Sequence, residues 1–60
     1  MQEVVAGIDI GGTNTVIGIV TPTGEILKDC TISTKGQETF DGFVKTISVE
    51  IERLLSELEH

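Results

Sequence analysis

The stretch GIDIGGTNT, from Gly7 to Thr15, ends an apolar run on an acid, follows it with two glycines, and then places three small polar residues in a row. Every bulky side chain is missing from Gly11 to Thr15. Such a segment lets a ligand approach the backbone closely, and successive backbone N–H groups in a turn make a cradle for anions. Thr13 and Asn14 add side-chain donors to the same turn. A polyphosphate held by these neutral donors needs a cation to balance its charge. Mg²⁺ keeps several of its waters and takes only one or two carboxylates. Asp9 is the carboxylate in place to hold that ion, directly or through water. On residue chemistry alone a second account stands beside this one. Gly11-Gly12 is then only a tight hairpin and Asp9 only serves its own backbone, since short glycine motifs often arise without a ligand.

Two familiar phosphate motifs are excluded. A P-loop requires a lysine directly after its last glycine, and none follows here. A dinucleotide fingerprint leads from strand through glycine turn into a helix. Here the residues after the glycines, TNTVIGIV, are rich in β-branched types and predict a second strand.

The elements that position the turn follow from pattern. Val4 to Ile10, VVAGIDI, is a nearly unbroken apolar run that suits a strand buried on both faces. Gly11-Gly12 predicts a two-residue turn, because glycine accepts positive φ without steric cost. The second strand runs from Thr13 to Val20, with Gly18 marking close packing or a bulge. TPTG then predicts a turn, with Pro22 where φ is fixed and Gly24 at its end. A third strand is expected from about Glu25 to Thr34. Its alternation puts Ile26, Cys30 and Ile32 on one face, with Lys28 interrupting them. After KGQE the period changes. Phe40, Phe43, Val44, Ile47, Ile51, Leu54, Leu55 and Leu58 recur at three and four, which predicts one apolar helix stripe packed on the sheet. Thr39 is the expected N-cap, and Asp41 suits the positive end of the helix.

Composition limits the remaining choices. The 60 residues make at most one small domain, and a chain of this size buries only about 60% of its unfolded surface. Cys30 is alone, so no internal disulfide forms, and its lone thiol fits a reducing compartment. A net charge of −6 with four scattered basic residues argues against nucleic acid as a partner. No run approaches the roughly 20 apolar residues of a membrane span, and MQEVV has no basic leader-type start. The ending Leu58-Glu59-His60 matches either native helix or the remnant of a cut affinity tag.

GIDIGGTNTVIGIV followed by TPTGEIL resembles the amino-terminal phosphate motif of the ROK-family sugar kinases, which include many bacterial glucokinases. That family lies within the actin, hexokinase and Hsp70 superfamily. The resemblance covers essentially the whole chain, and it is specific in DIGGTNT and generic in the helix. It implies an α/β fold: the β-β-β-α start of an RNase H-like, actin-type ATPase domain, with a three-stranded sheet and one packed helix. It also implies ATP and Mg²⁺ as cofactors, a hexose as substrate and a cytoplasmic location. Asp9 then resembles the family's strand-one acid near metal and phosphates. Gly11, Gly12 and Thr13 resemble its phosphate turn, and Asn14 and Thr15 continue it.

The family's catalytic aspartate, sugar contacts and zinc-binding cysteine motif all lie further along the chain than these residues. The segment is therefore expected to be one partial domain, an amino-terminal lobe that is incomplete for catalysis alone. Two relatives of the same fold are alternatives: a sugar-responsive ROK repressor, and an actin-like or chaperone-like ATPase. The repressors carry a DNA-binding helix-turn-helix ahead of the fold, whereas the first strand here is expected within a few residues of Met1. In the family fold, strand one pairs on its outer side with a later parallel strand. With that edge open, self-association is expected, by strand-one edge pairing, face-to-face sheet packing or exchange of an element, with a two-fold homodimer as the simplest closed form.

Overall fold

The computed structural model describes residues 3–58. Met1, Gln2 and the Glu59-His60 part of the LEH ending lie outside the described residues, while Leu58 closes the helix. Three strands, β1 (Val5–Ile10), β2 (Asn14–Val20) and β3 (Ile26–Ser33), are followed by one helix, α1 (Phe40–Leu58). The sheet is antiparallel in the order β1-β2-β3, so β2 is central and β1 and β3 are edges. This is a mixed α/β architecture in the β-β-β-α order that the pattern predicts.

Alternation on β2 decides which residues make the core. Thr15, Ile17 and Ile19 face α1 and are fully buried. They meet Phe43, Ile47 and Leu54 of the helix, with Val4, Cys30, Ile32, Ile51 and Leu55 packed around the edge of the cluster. Thr39 caps α1 as expected: its Oγ1 accepts a hydrogen bond from the Gly42 amide at 3.0 Å. TPTG turns as expected too. The Gly24 amide donates to the Thr21 carbonyl at 2.9 Å, and Gly24 takes φ 94°, which favours glycine.

Four expectations need correction. β1 is not buried on either face; all six of its residues are exposed. The reason is the placement of α1, whose contacts run to β2 and β3. Ile8 and Ile10 lie on the helix-bearing side of the sheet, paired with Ile17 and Thr15, yet remain 44% and 58% exposed. On the opposite side, Val5, Val16 and Ile26 face solvent because the described residues supply no second layer there.

The second correction concerns β3. A bulge opposite Ile19 and Val20 takes Leu27 out of register, so Lys28 pairs with Ile19 and Ile26 with Val20. Ile26 is thereby moved to the open face, away from Cys30 and Ile32. Lys28 does interrupt the covered face as expected, opposite Ile19 in line with Cys30 and Ile32, and β3 is half exposed. It reaches across to α1 and pairs with Glu57, Nζ to Oε1 at 2.6 Å. Gly18 stands one pair before the bulge, in ordinary contact with its neighbours. The third correction concerns the helix stripe. Phe40, Val44 and Leu58 stay exposed, while Phe43, Ile47 and Leu54 of the same stripe are buried.

The fourth correction is the turn itself. The Gly11 amide donates to the Asn14 carbonyl at 2.9 Å, so Gly11 and Asn14 close the ladder and Gly12-Thr13 forms the tip. Neither Gly11 nor Gly12 takes positive φ. Gly11 is required by space instead, since a Cβ there would stand 2.9 Å from the Asn14 carbonyl oxygen. Gly12 has open space around it.

Candidate functional site

The site is built at one end of the open face. In an antiparallel ladder, residues opposite each other share a face. Asp9 lies opposite Val16, and Gly11 opposite Asn14, so Asp9 and Asn14 belong to the same open face. They are diagonal neighbours, a relation that spaces Cα atoms by roughly 7–8 Å. Gly11 contributes no side chain between them. Next to this pair, the tip Gly12-Thr13 is exposed on all sides.

The turn keeps donors available. The Gly11 amide is consumed by Asn14, but among the described residues no group accepts a hydrogen bond from the amides of Gly12, Thr13 or Asn14. Thr13 is fixed from behind, where its carbonyl accepts from the Thr34 amide at 2.9 Å. The cradle is thus anchored to the end of β3 as well as to β1. That anchor also brings Lys35, the next residue after Thr34, beside the turn. Pattern reading gave no reason to select Lys35, because its proximity comes from the β2–β3 pairing and not from its neighbours in sequence.

Thr15 leaves the site. It is fully buried on the helix side, and its hydroxyl pairs with that of Thr34. Its part is structural: it satisfies a polar pair under the edge of the core. The remaining candidates Asp9, Gly11, Gly12, Thr13 and Asn14 are brought together within one hairpin end.

The Asp9 carboxylate is exposed and makes no hydrogen bond or ion pair among the described residues. No group of three or more His, Cys, Asp or Glu side chains capable of holding a metal ion occurs among the described residues. A protein-only metal cage is therefore not formed here. A single exposed carboxylate next to free amides does fit Mg²⁺ carried by a phosphate ligand, where water and phosphate oxygens fill the other positions. Beside the turn, the open face continues as a shallow, mostly apolar depression of about 280 Å³ lined by Gly7, Asp9, Val16, Gly18, Val20 and Asp29 among others. The cross-strand pair Gly7 and Gly18 forms its floor.

A second polar cluster joins β3 to α1. Arg53 donates to Glu50 and Glu57, at 2.8 and 2.6 Å, and Lys28 completes the chain at Glu57. Hydrogen bonds from Arg53 hold the Glu50 carboxyl below its ordinary range, and Lys28 does so for Glu57. The Cys30 thiol lies 3.8 Å from Glu50. Burial, and then the Glu50 charge, push it above the usual thiol value, which makes it a poor nucleophile. This cluster is a fastening between elements and supplies no reactive group.

No known protein family, curated protein or solved structure matches this chain. No helix among the described residues is long and apolar enough to cross a membrane.

Proposed function

We propose that this chain is the phosphate-binding segment of an ATP-dependent hexose kinase of the ROK, glucokinase-like type. The observation that carries the proposal is the hairpin end itself. Three successive amides, at Gly12, Thr13 and Asn14, lack partners among the described residues, and they lie at the hairpin end whose open face carries Asp9 and Asn14. In this account the amides and the Thr13 and Asn14 side chains bind phosphate oxygens. Asp9 orients a magnesium ion or its waters, and Lys35 adds positive charge at the rim. Bound Mg²⁺ would supply charge neutralisation on the nucleotide phosphates.

Phosphoryl transfer depends mainly on positioning and electrostatic stabilisation, so a phosphate cradle in one segment and a base in another is chemically reasonable. A base must reach the sugar hydroxyl. Asp9, on the phosphate side, is not assigned that part, and the base and sugar contacts belong to further chain. The sequence resemblance to the ROK kinases supports this account, as does the β-β-β-α order. A cytoplasmic location goes with it.

The test uses the 60-residue chain and Mg–ATP, followed by amide chemical shifts. The expected result is weak, millimolar binding, with the largest shifts at Gly12, Thr13 and Asn14 and their loss in Asp9→Asn. Shifts centred on another part of the sheet, or none at millimolar nucleotide, would remove the assignment.

A further inference from the structure

Resting on the reading of Gly12, Thr13 and Asn14 as a phosphate cradle, we infer that the turn of residues 34–37 is a second wall of the same site. Lys35 on this wall binds one end of a phosphate chain whose other end meets the ion at Asp9. The ligand class is then a nucleoside di- or triphosphate, in preference to a monophosphate or free phosphate.

The β2–β3 ladder brings the two turns together. Its register reaches Asn14↔Ser33, and the Thr34 amide carries it one step further by donating to the Thr13 carbonyl at 2.9 Å. The next residue, Lys35, therefore comes beside Gly12. Further hydrogen bonds fix this second turn. The Gln37 amide donates to the Thr34 carbonyl at 3.3 Å, and Gln37 Nε2 donates to the Ser33 carbonyl at 3.0 Å. The Thr34 hydroxyl pairs with that of the buried Thr15. Lys35 is left exposed at the outer corner, and the amides of Lys35 and Gly36 lack partners among the described residues.

Charge is what this wall adds. The chain carries −6, and Asp9 stands at the same end of the sheet. Neutral amides alone would meet a phosphate in an unfavourable field. Lys28 and Arg53 are engaged with Glu50 and Glu57. Lys35 and Lys45 enter no ion pair among the described residues. Of these two, the ladder brings Lys35 to the cradle, while Lys45 sits within α1. The lysine ammonium is a compact point charge on a flexible stem, suited to phosphate.

Spacing selects the ligand. Asp9 belongs to β1 and Lys35 follows β3, with β2 between them. At least two strand spacings, roughly 9–10 Å, separate their backbones across the sheet. A single phosphate reaches one side of the tip. A chain of two or three, with the metal at Asp9 and the long lysine stem at the other end, spans both sides and passes the free amides.

Mg–ATP and inorganic phosphate, titrated into the 60-residue chain and followed by amide shifts at both turns, test this. Mg–ATP is expected to move Lys35 and Gly36 together with Gly12, Thr13 and Asn14. Lys35→Ala is expected to weaken Mg–ATP about tenfold, the scale of a lost hydrogen bond to a charged group, and to flatten its salt dependence. Lys35→Arg should retain most of the affinity. Inorganic phosphate is expected to bind much more weakly and without dependence on Lys35. Lys45→Ala removes the same charge from α1 and is expected to leave Mg–ATP binding unchanged. Both lysines are exposed, so these variants keep the fold. Shifts at Gly12, Thr13 and Asn14 with Lys35 silent, and Lys35→Ala binding like wild type, would overturn the inference and leave the cradle standing. Equal losses in Lys35→Ala and Lys45→Ala would overturn it as well, as would an equal loss of ATP and inorganic phosphate in Lys35→Ala. No shift at Gly12, Thr13 and Asn14 at millimolar nucleotide would remove the cradle and its second wall together.

Discussion

At the scale of single residues, the two glycines of the turn play different parts, and substitution separates them. A Cβ at Gly11 meets the Asn14 carbonyl oxygen at 2.9 Å, and that oxygen is backbone held in the ladder. Gly11→Ala is expected to lower stability by about 1–3 kcal/mol, the scale of overpacking a closed contact. Gly12→Ala meets nothing within 4 Å and no unusual φ, so its effect on stability should stay within about 0.5 kcal/mol. It should nevertheless weaken Mg–ATP, because the methyl group occupies the approach to the free amides. Denaturant melts of both variants, set beside the nucleotide titration, check the pair. In a protein carrying the complete catalytic machinery, Asp9→Ala and Thr13→Val are each expected to cut hexose phosphorylation by at least ~10²-fold. Unchanged turnover in both would count against the phosphate assignment.

At the scale of elements, α1 is held to the sheet by a small core and a charged rim. Leu54 is 1% exposed and packs among Ile17, Ile19 and Ile47. Leu54→Ala is expected to cost about 2–5 kcal/mol, enough to unfold much of a chain this short. The rim predicts pH dependence. Glu50 and Glu57 titrate below their ordinary value of 4.5 in the fold because Arg53 and Lys28 stabilise their charged forms. A depressed carboxylate adds stability above its unfolded pKa and loses it as pH falls through the folded one. Thermal midpoints should therefore hold near neutrality and fall on acidification below about pH 4.5. Glu57→Gln should reduce that acid dependence while leaving the helix formed. Both acids are solvent-facing, so the change is small and salt weakens it. A thermal midpoint insensitive to pH across this window would show that the rim contributes nothing.

At the scale of the whole molecule, one helix covers two of three strands on one side, and none of the described residues covers the other. Val5, Ile8, Ile10, Val16 and Ile26 are left to water for that reason. A patch of this kind normally marks an interface or an aggregation site. The self-association expected from the sequence links association and folding by mass action. The thermal midpoint of the wild-type chain should then rise with protein concentration. Calorimetry at two concentrations tenfold apart measures it.

The order β-β-β-α was legible in the sequence because each element carries its own period: the apolar runs of the strands, the three-and-four spacing from Phe40, and glycine or proline between them. The cap at Thr39 and the turn at Thr21–Gly24 were legible for the same reason, since their chemistry is local. Asp9, Gly11, Gly12, Thr13 and Asn14 stood out as small and polar residues after a strand. Tertiary pairing decided the rest. One hydrogen bond, Gly11 to Asn14, moved the tip to Gly12-Thr13 and left three amides without partners among the described residues. The bulge at Leu27 reversed the face of Ile26, and Thr34 brought Lys35 to the turn. The exposure of β1 is the clearest case. An apolar run predicts a strand that favours burial, but what covers it depends on where the helix lies and which strands flank it, and those are relations between distant segments that no local pattern contains.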